Sequence, residues 1–248
     1  MRFLHTADWH LGRIFYGQYL TDDQAHVLEN QFFTILKDEK IDGILLAGDI
    51  FDRAVPPIEA VELWDSIITR LAMDYKVPLF VVSGNHDGAE RLEVGRSMLS
   101  QSGIHIWGSP HHALQPFEFE VPDGKVAICP MPFSEPRRIG DALEQNIDLN
   151  NEATLNLHNY DQMYQAWSNH LRNQVPKGLR SIAIGHAFVM GGDVGGSERI
   201  LSIGGSEQVS PQVFKDFHYT ALGHLHGPQR MGADYIRYSG SPLKYSFD

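Results

Sequence analysis

The sequence predicts an α/β protein. Five short runs of apolar and β-branched residues are typical of buried strands, and they lie at 2–7, 43–48, 79–84, 181–186 and 219–224. Amphipathic stretches separate these runs, which is the alternation expected when helices cover a largely parallel sheet. The length agrees with this class, because 248 residues of which 42% are hydrophobic can bury one large core.

Three stretches between the strands carry the helical period. Residues 21–39 and residues 59–72 both repeat apolar side chains at three- and four-residue spacing, and we expect them to cover the sheet. A third stretch, about 152–174, has one apolar side on an otherwise polar sequence. We interpret it as a surface helix.

Charge and cysteine content restrict the class of protein. The formal net charge of −11 has the wrong sign for holding nucleic acid by bulk electrostatics, so a polyanionic substrate requires a local positive centre such as bound metal ions. The single cysteine, Cys129, can form neither an internal disulfide nor a thiolate metal site, which fits a reducing compartment. No apolar stretch reaches the length of a membrane span. We therefore predict a cytoplasmic protein without a membrane anchor.

Each predicted strand leads to a polar side chain at or just beyond its C-terminal end. These side chains belong to Asp8, His10, Asp49, Asn85, His186, His224 and His226. Any one of them alone is more often a hydrogen-bonded loop residue than a ligand. Together they fall where an α/β sheet collects ligands, and the two-residue spacing within 8–10 and 224–226 directs both side chains of each pair to the same side of an extended chain. The sequence therefore predicts a metal site at this edge.

The predicted ligands offer oxygen and nitrogen but no sulfur. Such mixed sets suit Mn²⁺, Fe²⁺ or Zn²⁺ better than an all-oxygen calcium cage. The set is too large for one ion that keeps a water, but it divides between two ions if one carboxylate bridges them. A pair of ions, typically ~3.5–4 Å apart, activates water and stabilises in-line displacement at phosphorus. We therefore predict a two-metal hydrolase.

Five motifs, in this order and spacing, resemble the calcineurin-like metallophosphoesterase superfamily. They are "DWH" at 8–10, "GDIFDR" at 48–53, "GNHD" at 84–87, "GH" at 185–186 and "GHLH" at 223–226. Longer segments resemble the SbcD family of bacterial nuclease subunits along essentially the whole chain, and these segments are "HTADWHLGR" at 5–13, "GDIFDRAVPP" at 48–57, "ICPMPF" at 128–133 and "RYSGSPLKYSFD" at 237–248. The resemblance implies a two-layered β-sandwich flanked by α-helices instead of a single doubly wound sheet.

The resemblance also implies a division of the ligands between two divalent ions, with Mn²⁺ favoured. The first ion would be held by Asp8, His10, Asp49 and His226. The second would be held by Asp49, Asn85, His186 and His224, so that Asp49 bridges the two.

Two further residues take catalytic roles by the same resemblance. His86 corresponds to the catalytic histidine of the family, which contacts the scissile phosphate and aids the leaving oxygen, and Asp52 would orient it. Chemistry alone makes His86 a sensible proton donor, because a departing 3′-oxygen needs a positive partner; the alternative is that it only caps a loop. The Arg53 side chain has two alternative roles, a contact with the substrate phosphate or a salt bridge on the surface.

Three functions compete at this stage. The favoured one is a DNA nuclease subunit with double-strand exonuclease and single-strand or hairpin endonuclease activity in DNA repair and recombination. A phosphatase or cyclic-nucleotide phosphodiesterase would use the same metal centre, and a scaffold without activity would retain only the fold. The complete ligand set argues against the scaffold, and the SbcD-like segments favour the nuclease.

The resemblance also sets expectations for domains and partners. Residues 1–248 are expected to form one metallophosphoesterase domain, without the capping domain and the C-terminal segment by which the family binds its SMC-like SbcC-type ATPase. DNA and that ATPase are the expected partners. A homodimer is expected through the helix at 59–72, which has a second apolar face; the alternative is that this face is buried within the monomer.

Overall fold

Strands and helices alternate up to about residue 107, as the sequence predicts, whereas the described residues after Gln174 form strands without an α-helix between them. The protein is described from a computed structural model, and the structure describes residues 1–146, 155, 157–194 and 207–247. The strands are β1 Phe3–Thr6, β2 Ile14–Phe15, β3 Gln18–Tyr19, β4 Gly43–Ala47, β5 Leu79–Val82, β6 Ile104–Trp107, β7 Phe117–Val121, β8 Gly124–Met131, β9 Arg180–His186, β10 Phe188–Val189, β11 Gln208–Val209, β12 Tyr219–Gly223, β13 Gln229–Met231 and β14 Ala233–Tyr238.

Four of the seven helices, α1, α2, α3 and α7, lie in the predicted amphipathic stretches, whereas α4, α5 and α6 were not predicted. They are α1 Thr21–Val27, α2 Phe33–Asp38, α3 Ile58–Arg70, α4 Ala89–Leu92, α5 Arg96–Leu99, α6 Pro136–Asn146 and α7 Tyr160–Gln174. The predicted helix at 21–39 is continuous but wider in its middle, where a π-helical turn at Leu28–Phe32 joins α1 to α2. Of the predicted helix at 152–174, residues 152–154 and 156 lie outside the described residues, and the helix proper begins at Tyr160.

Two sheets form the centre of the fold. The first has the order β1-β4-β5-β6 and is parallel throughout. The second has the order β13-β14-β12-β9-β8-β7; its inner strands are parallel, and the hairpins β7-β8 and β13-β14 are antiparallel. The two-layered β-sandwich with flanking helices is thereby confirmed, and the expectation of a single sheet edge is replaced by the facing edges of two sheets.

Strand β4 shows why the sheets stack. Its alternate side chains enter two different cores: Leu45 packs between the two sheets, whereas Ile44 and Leu46 belong to the core that faces α2, α3 and the helical turn at Leu28–Phe32. A strand that is apolar on both faces needs a cover on both sides. The second sheet covers one face and the helices cover the other.

The outer face of the second sheet is covered by α6 and α7. Helix α7 buries Tyr164, Trp167 and Leu171 completely, while its other side stays polar. Among the residues that the structure describes, no helix has both the length and the apolarity that a membrane crossing requires.

Candidate metal centre

The predicted ligands come together where the C-terminal ends of the two sheets meet. Asp8 and His10 follow β1, Asp49 follows β4 and Asn85 follows β5 in the first sheet; His186 ends β9, and His224 and His226 follow β12 in the second. The register brings β9 and β12 into line, because His186 pairs with Gly223. Residues separated by up to 216 positions therefore touch, as His10 and His226 do.

The loops that carry these residues adopt a rare backbone conformation. Asp8, His10, Asp49 and His224 have φ values of 55°, 46°, 51° and 111°. Only six non-glycine residues in the described ranges have positive φ, so most of them are predicted ligands. This region is costly for L-residues and is retained mainly where function requires it.

Two glycines allow the two sheets and their loops to approach closely. A Cβ on Gly48, which has φ +87°, would lie 2.3 Å from His186 Nδ1. A Cβ on Gly84 would lie 2.0 Å from Asp49 Oδ1. Each distance is far below an ordinary van der Waals contact, so these positions require glycine for space.

At one end of the cluster lie Asp8, His10 and His226. The Nε2 atoms of His10 and His226 are 3.0 Å apart, and the two rings meet edge to face. One potential ligand atom from each of the three side chains lies within 4.8 Å of the others. The position of the Asp8 carboxylate is also fixed by the second sheet, because the His224 main-chain N–H donates to both of its oxygens at 2.9 and 3.1 Å.

At the other end lie Asn85, His186 and His224. The Asn85 Oδ1 atom is 3.0 Å from His186 Nε2 and 3.1 Å from His224 Nδ1. His186 donates from Nδ1 to the Ala47 carbonyl at 2.9 Å, a contact that fixes the ring and directs Nε2 into the cluster. The Asn85 Nδ2 atom is buried without a hydrogen-bond partner among the described residues.

Asp49 lies between the two ends. Its Oδ2 atom is 3.6 Å from His10 Nε2 and 3.4 Å from His186 Nε2. Its Oδ1 atom accepts the main-chain N–H of His86 at 2.9 Å. This carboxylate is thus in contact with both halves of the predicted ligand set, as a bridging ligand must be.

Burial and neighbouring charges set the protonation of these groups. Burial alone would raise the pKa of Asp49, but His186 and His10 hold that pKa well below its usual value. Burial alone would lower the pKa of His186, but Asp49 and Asp8 raise it to about 9. Burial lowers the pKa of His10 well below its usual value, and burial followed by the charge of His186 lowers that of His224 to about 3.

The shifts of Asp49, His10 and His224 favour the protonation states that bind cations. An ionised Asp49 and neutral imidazoles at His10 and His224 present lone pairs, which are the ligand forms of these groups. The raised pKa of His186 reflects the buried carboxylates of Asp49 and Asp8 around it, which attract positive charge to this region. A bound cation can supply that charge, because metal binding to histidine releases protons.

His86 and Asp52 are in contact, but through the main chain. His86 Nδ1 donates to the Asp52 carbonyl oxygen at 2.7 Å, which fixes the tautomer and leaves Nε2 for other partners. The Asp52 carboxylate instead accepts from Arg13 at 3.1 Å and lies 3.5 Å from His10 Nδ1. His86, predicted to lie outside the ligand set, also has a ring nitrogen within 4.8 Å of ligand atoms of His10 and Asp49.

Two neighbouring residues of the motifs have different surroundings. Asp87 accepts main-chain N–H groups of Ile50, Phe51 and Gly84, so it shapes the turn; burial and then Asp49 raise its pKa to about 7. Arg53, next to Asp52 in the sequence, is exposed.

The residues present fit a pair of divalent cations. The donor set is nitrogen and oxygen, two imidazole nitrogens face each other at 3.0 Å, and the polar atoms His10 Nδ1 and Asn85 Nδ2 are buried without hydrogen-bond partners among the described residues. Such convergence of lone pairs and carboxylates is unfavourable without a cation between them.

Two residues next to the cluster were not predicted from the sequence. Gln24, on α1, and Tyr245, after β14, contact the main chain of the loop that carries His10. Gln24 gives no local signal, because a glutamine is ordinary in an amphipathic helix. Tyr245 lies in one of the SbcD-like segments, but only the fold shows its contact.

Comparisons with known proteins agree with this geometry. A family profile described as calcineurin-like phosphoesterase matches residues 1–228. A Bacillus subtilis (strain 168) protein, named as the SbcD component of the SbcCD nuclease, is 37% identical over 252 residues, which cover 100% of this chain and 63% of that protein. A Staphylococcus epidermidis (strain ATCC 12228 / FDA PCI 1200) protein of the same name is 33% identical over 247 residues, covering 100% and 62%. The chain therefore spans less than two thirds of the length of these curated relatives.

A solved structure is similar in fold. The crystal structure of a dimetal phosphatase from Danio rerio matches with a TM-score of 0.53 and 15% sequence identity, covering 95% of this chain and 85% of that one. At this identity the match supports the fold alone.

Proposed function

The chain belongs to the calcineurin-like phosphoesterase family, and we propose that within this family it is a two-metal DNA nuclease of the SbcD kind. The observation that carries the proposal is the position of Asp49, whose Oδ2 atom lies within 3.6 Å of imidazoles from both sheets. The similarity to two SbcD nuclease proteins over 100% of this chain supports DNA as the substrate.

The proposed ligands are those predicted from the motifs. Asp8, His10, Asp49 and His226 would hold one ion, and Asp49, Asn85, His186 and His224 the other, with Mn²⁺ proposed for both. When bound, the two ions would supply an activated water and neutralise negative charge on the phosphate. The bond from His186 to the Ala47 carbonyl supports this assignment, because ligating histidines almost always donate their second nitrogen to such a partner.

His86 is proposed as the proton donor to the leaving oxygen. Its Nδ1–H is held by the Asp52 carbonyl, so a proton for the substrate must be on Nε2. Its main-chain N–H is held by Asp49, which ties the position of the ring to the bridging carboxylate. A positioned acid of this kind contributes on the order of 10²–10⁴-fold to the rate.

The proposed partners follow from the relatives and from the charge. A net charge of −11 leaves the metal centre as the principal attraction for a DNA backbone, so we expect weak, salt-sensitive DNA binding by residues 1–248. A longer chain that continues into a capping domain and binds an SbcC-type ATPase is part of the proposal. Residues 1–248 are then its metallophosphoesterase domain.

We also propose a cytoplasmic location. The only cysteine of the sequence, Cys129, is a free thiol buried in β8, as is typical of proteins in a reducing compartment.

We also propose a homodimer through the exposed part of α3. Ala60 and Ile67, from the second apolar face predicted for α3, are buried within the chain. Ile58 and Val61 stay exposed, at 71% and 43% of their surface. Light scattering of residues 1–248 at high micromolar concentration should give twice the mass of one chain, and the mass of a single chain would contradict the proposed dimer.

Metal analysis combined with cleavage assays tests the function. We expect two metal ions per chain and Mn²⁺-stimulated cleavage of linear and hairpin DNA. Bis-p-nitrophenyl phosphate is the reference diester, and a p-nitrophenyl monoester tests the alternative phosphatase. Turnover of the monoester without DNA cleavage would favour the phosphatase, and the absence of bound metal would contradict both.

Two variants separate metal binding from chemistry. Asp49→Ala removes a proposed ligand of both ions and should lose metal, thermal stability in the presence of Mn²⁺, and hydrolysis together. His86→Ala should keep both metals and lose on the order of 10²–10⁴-fold in DNA cleavage. If His86 acts as the acid, a p-nitrophenyl diester should be affected less than DNA, because its leaving group barely needs a proton. Loss of one metal in His86→Ala would show that His86 is a ligand.

A further inference from the structure

We propose that Gln24 and Tyr245 are positioning residues, which hold the main chain of residues 9–12 and thereby aim the His10 imidazole into the metal centre. The inference rests on the proposed function, since His10 is one of the proposed ligands. It adds a role for two residues that lie outside the metal-binding motifs.

The loop that carries His10 is bonded on one side by the neighbouring loop of the first sheet. The N–H groups of Asp8, His10 and Leu11 donate to the carbonyls of Gly48, Asp49 and Ile50 at 2.9 to 3.0 Å. These bonds use the donors of the loop. The Leu11 carbonyl accepts the Asp52 N–H at 3.2 Å on this same side, whereas the carbonyls of Trp9 and His10 face the other side, towards Gln24, and that of His10 also accepts the Arg13 N–H at 3.0 Å. The left-handed conformation of His10, at φ 46°, prevents those carbonyls from entering a regular strand or helix.

Gln24 supplies the partners on that other side. Its Nε2 atom donates to the carbonyl of His10 at 2.8 Å and to that of Trp9 at 3.1 Å, and its Oε1 atom accepts the N–H of Gly12 at 3.0 Å. The side chain therefore bonds to three of the four residues of the loop segment. Gln24 is 3% exposed, so water does not substitute for these bonds.

Tyr245 completes the arrangement from the far end of the sequence. Its hydroxyl donates to the Trp9 carbonyl at 2.5 Å and lies 3.0 Å from Gln24 Nε2, so the Trp9 carbonyl and the Tyr245 hydroxyl share one of the two Nε2 protons. Its ring centroid lies 5.5 Å from that of His10 and 5.6 Å from that of His226, edge to face in both cases. The Tyr245 ring thus packs against the imidazoles of His10 and His226, which are two proposed ligands of the same ion.

The two residues act on one end of the centre. Their contacts reach the loop of His10 and the ring of His226, both assigned to the first ion. The second-ion residue His186 is oriented by a different group, the Ala47 carbonyl. Loss of Gln24 or Tyr245 should therefore weaken one metal site selectively, whereas a residue that only stabilises the fold would not discriminate between the sites.

Calorimetric titration of metal-stripped protein with Mn²⁺ tests the inference. Gln24→Met keeps the approximate shape but cannot bond to the loop, and it should weaken one of two binding steps by about 10–100-fold, as is typical for partners that orient ligands. Tyr245→Phe removes a single hydroxyl and should weaken the same step by about 5-fold. The effects should be non-additive in the double variant, because both residues bond to the Trp9 carbonyl.

Gln174→Met is the matched control. Gln174 also donates to two main-chain carbonyls, those of Leu114 and His170, but at the end of α7 and away from the centre. It should leave both binding steps unchanged. In Gln24→Met, amide exchange at Gly12 should also accelerate, a readout that does not depend on metal or activity.

The outcomes separate this inference from the proposed function. The positioning role alone would be overturned if Gln24→Met and Tyr245→Phe bound Mn²⁺ in both steps with the affinities of the unmodified chain. It would also be overturned if both steps were weakened equally. A wild-type protein that binds no Mn²⁺ would overturn the proposed function and this role with it. If Gln24→Met does not fold, Tyr245→Phe decides the question by the same criterion.

Discussion

A methyl group added to Gly84 should disable the metal centre without removing any proposed ligand. Gly84 lies between β5 and Asn85, directly against the Asp49 loop. A Cβ there would lie 2.0 Å from Asp49 Oδ1 and 2.3 Å from the Asp49 main-chain nitrogen. The backbone of Gly84 does not have positive φ, so the effect of Gly84→Ala is a steric effect and not conformational strain.

The size of the effect follows from that gap. Ordinary contact begins at 3.4 Å, so the Asp49 and Asn85 loops must separate by more than 1 Å to admit the methyl group. Overpacking of this kind costs about 1–3 kcal/mol of stability. A displacement of about 1 Å at a reacting centre costs on the order of 10²-fold in rate, so Gly84→Ala should lose DNA cleavage by that factor or more.

Gly227→Ala is the matched control, because its Cβ would meet only Gln229 Nε2 at 3.9 Å. Both variants should be compared by metal content, by DNA cleavage in Mn²⁺ and by urea unfolding. Gly227→Ala should behave as the unmodified chain does. Equal metal content and equal cleavage in the two variants would refute the reasoning, because it would mean that the two loops can separate without disturbing the site.

Three further predictions follow from burial and from metal linkage. Burial lowers the pKa of His5 from 6.5 to about 4 despite its bond to the Leu222 carbonyl, so its contribution to stability is complete above pH 6.5 and is lost as the pH falls towards 4. Between pH 7 and pH 5 the unmodified chain should therefore lose about 2 kcal/mol more than His5→Gln in urea unfolding, and parallel pH profiles would contradict this. Trp167→Ala should cost about 3–5 kcal/mol, because Trp167 is fully buried and its Nε1 donates to the Ala113 carbonyl; unfolding with a midpoint near that of the unmodified chain would contradict this. Mn²⁺ at 100 times its dissociation constant should raise the free energy of unfolding by about 2.7 kcal/mol per site, and a chelator should abolish the gain; an unfolding temperature indifferent to both would argue against the metal centre.

Local sequence patterns predicted five of the strands, the helices at 21–39, 59–72 and about 152–174, and the residues proposed for the site. Strands and helices were predictable because apolar runs and helical periods are local patterns, and the predicted strand at 43–48 corresponds to β4 at Gly43–Ala47. The polar residues were predictable as a group because each follows a strand, and parallel strands place their C-terminal ends on one side. The order and spacing of the motifs were sufficient to indicate the family, which the match over residues 1–228 confirms.

Tertiary structure alone decided how these parts face one another. A run such as Leu45 and Leu46 is apolar on both faces whether the next layer is a helix or a sheet, so periodicity could not show that Leu45 faces a second sheet and Leu46 a helix. The Asp52 carbonyl, and not its carboxylate, holds His86, because the path of the backbone determines which group is within reach. Gln24 and Tyr245 meet across 221 positions for the same reason. Contacts of this range depend on how the layers pack, and packing is a property of the whole chain that no local pattern contains.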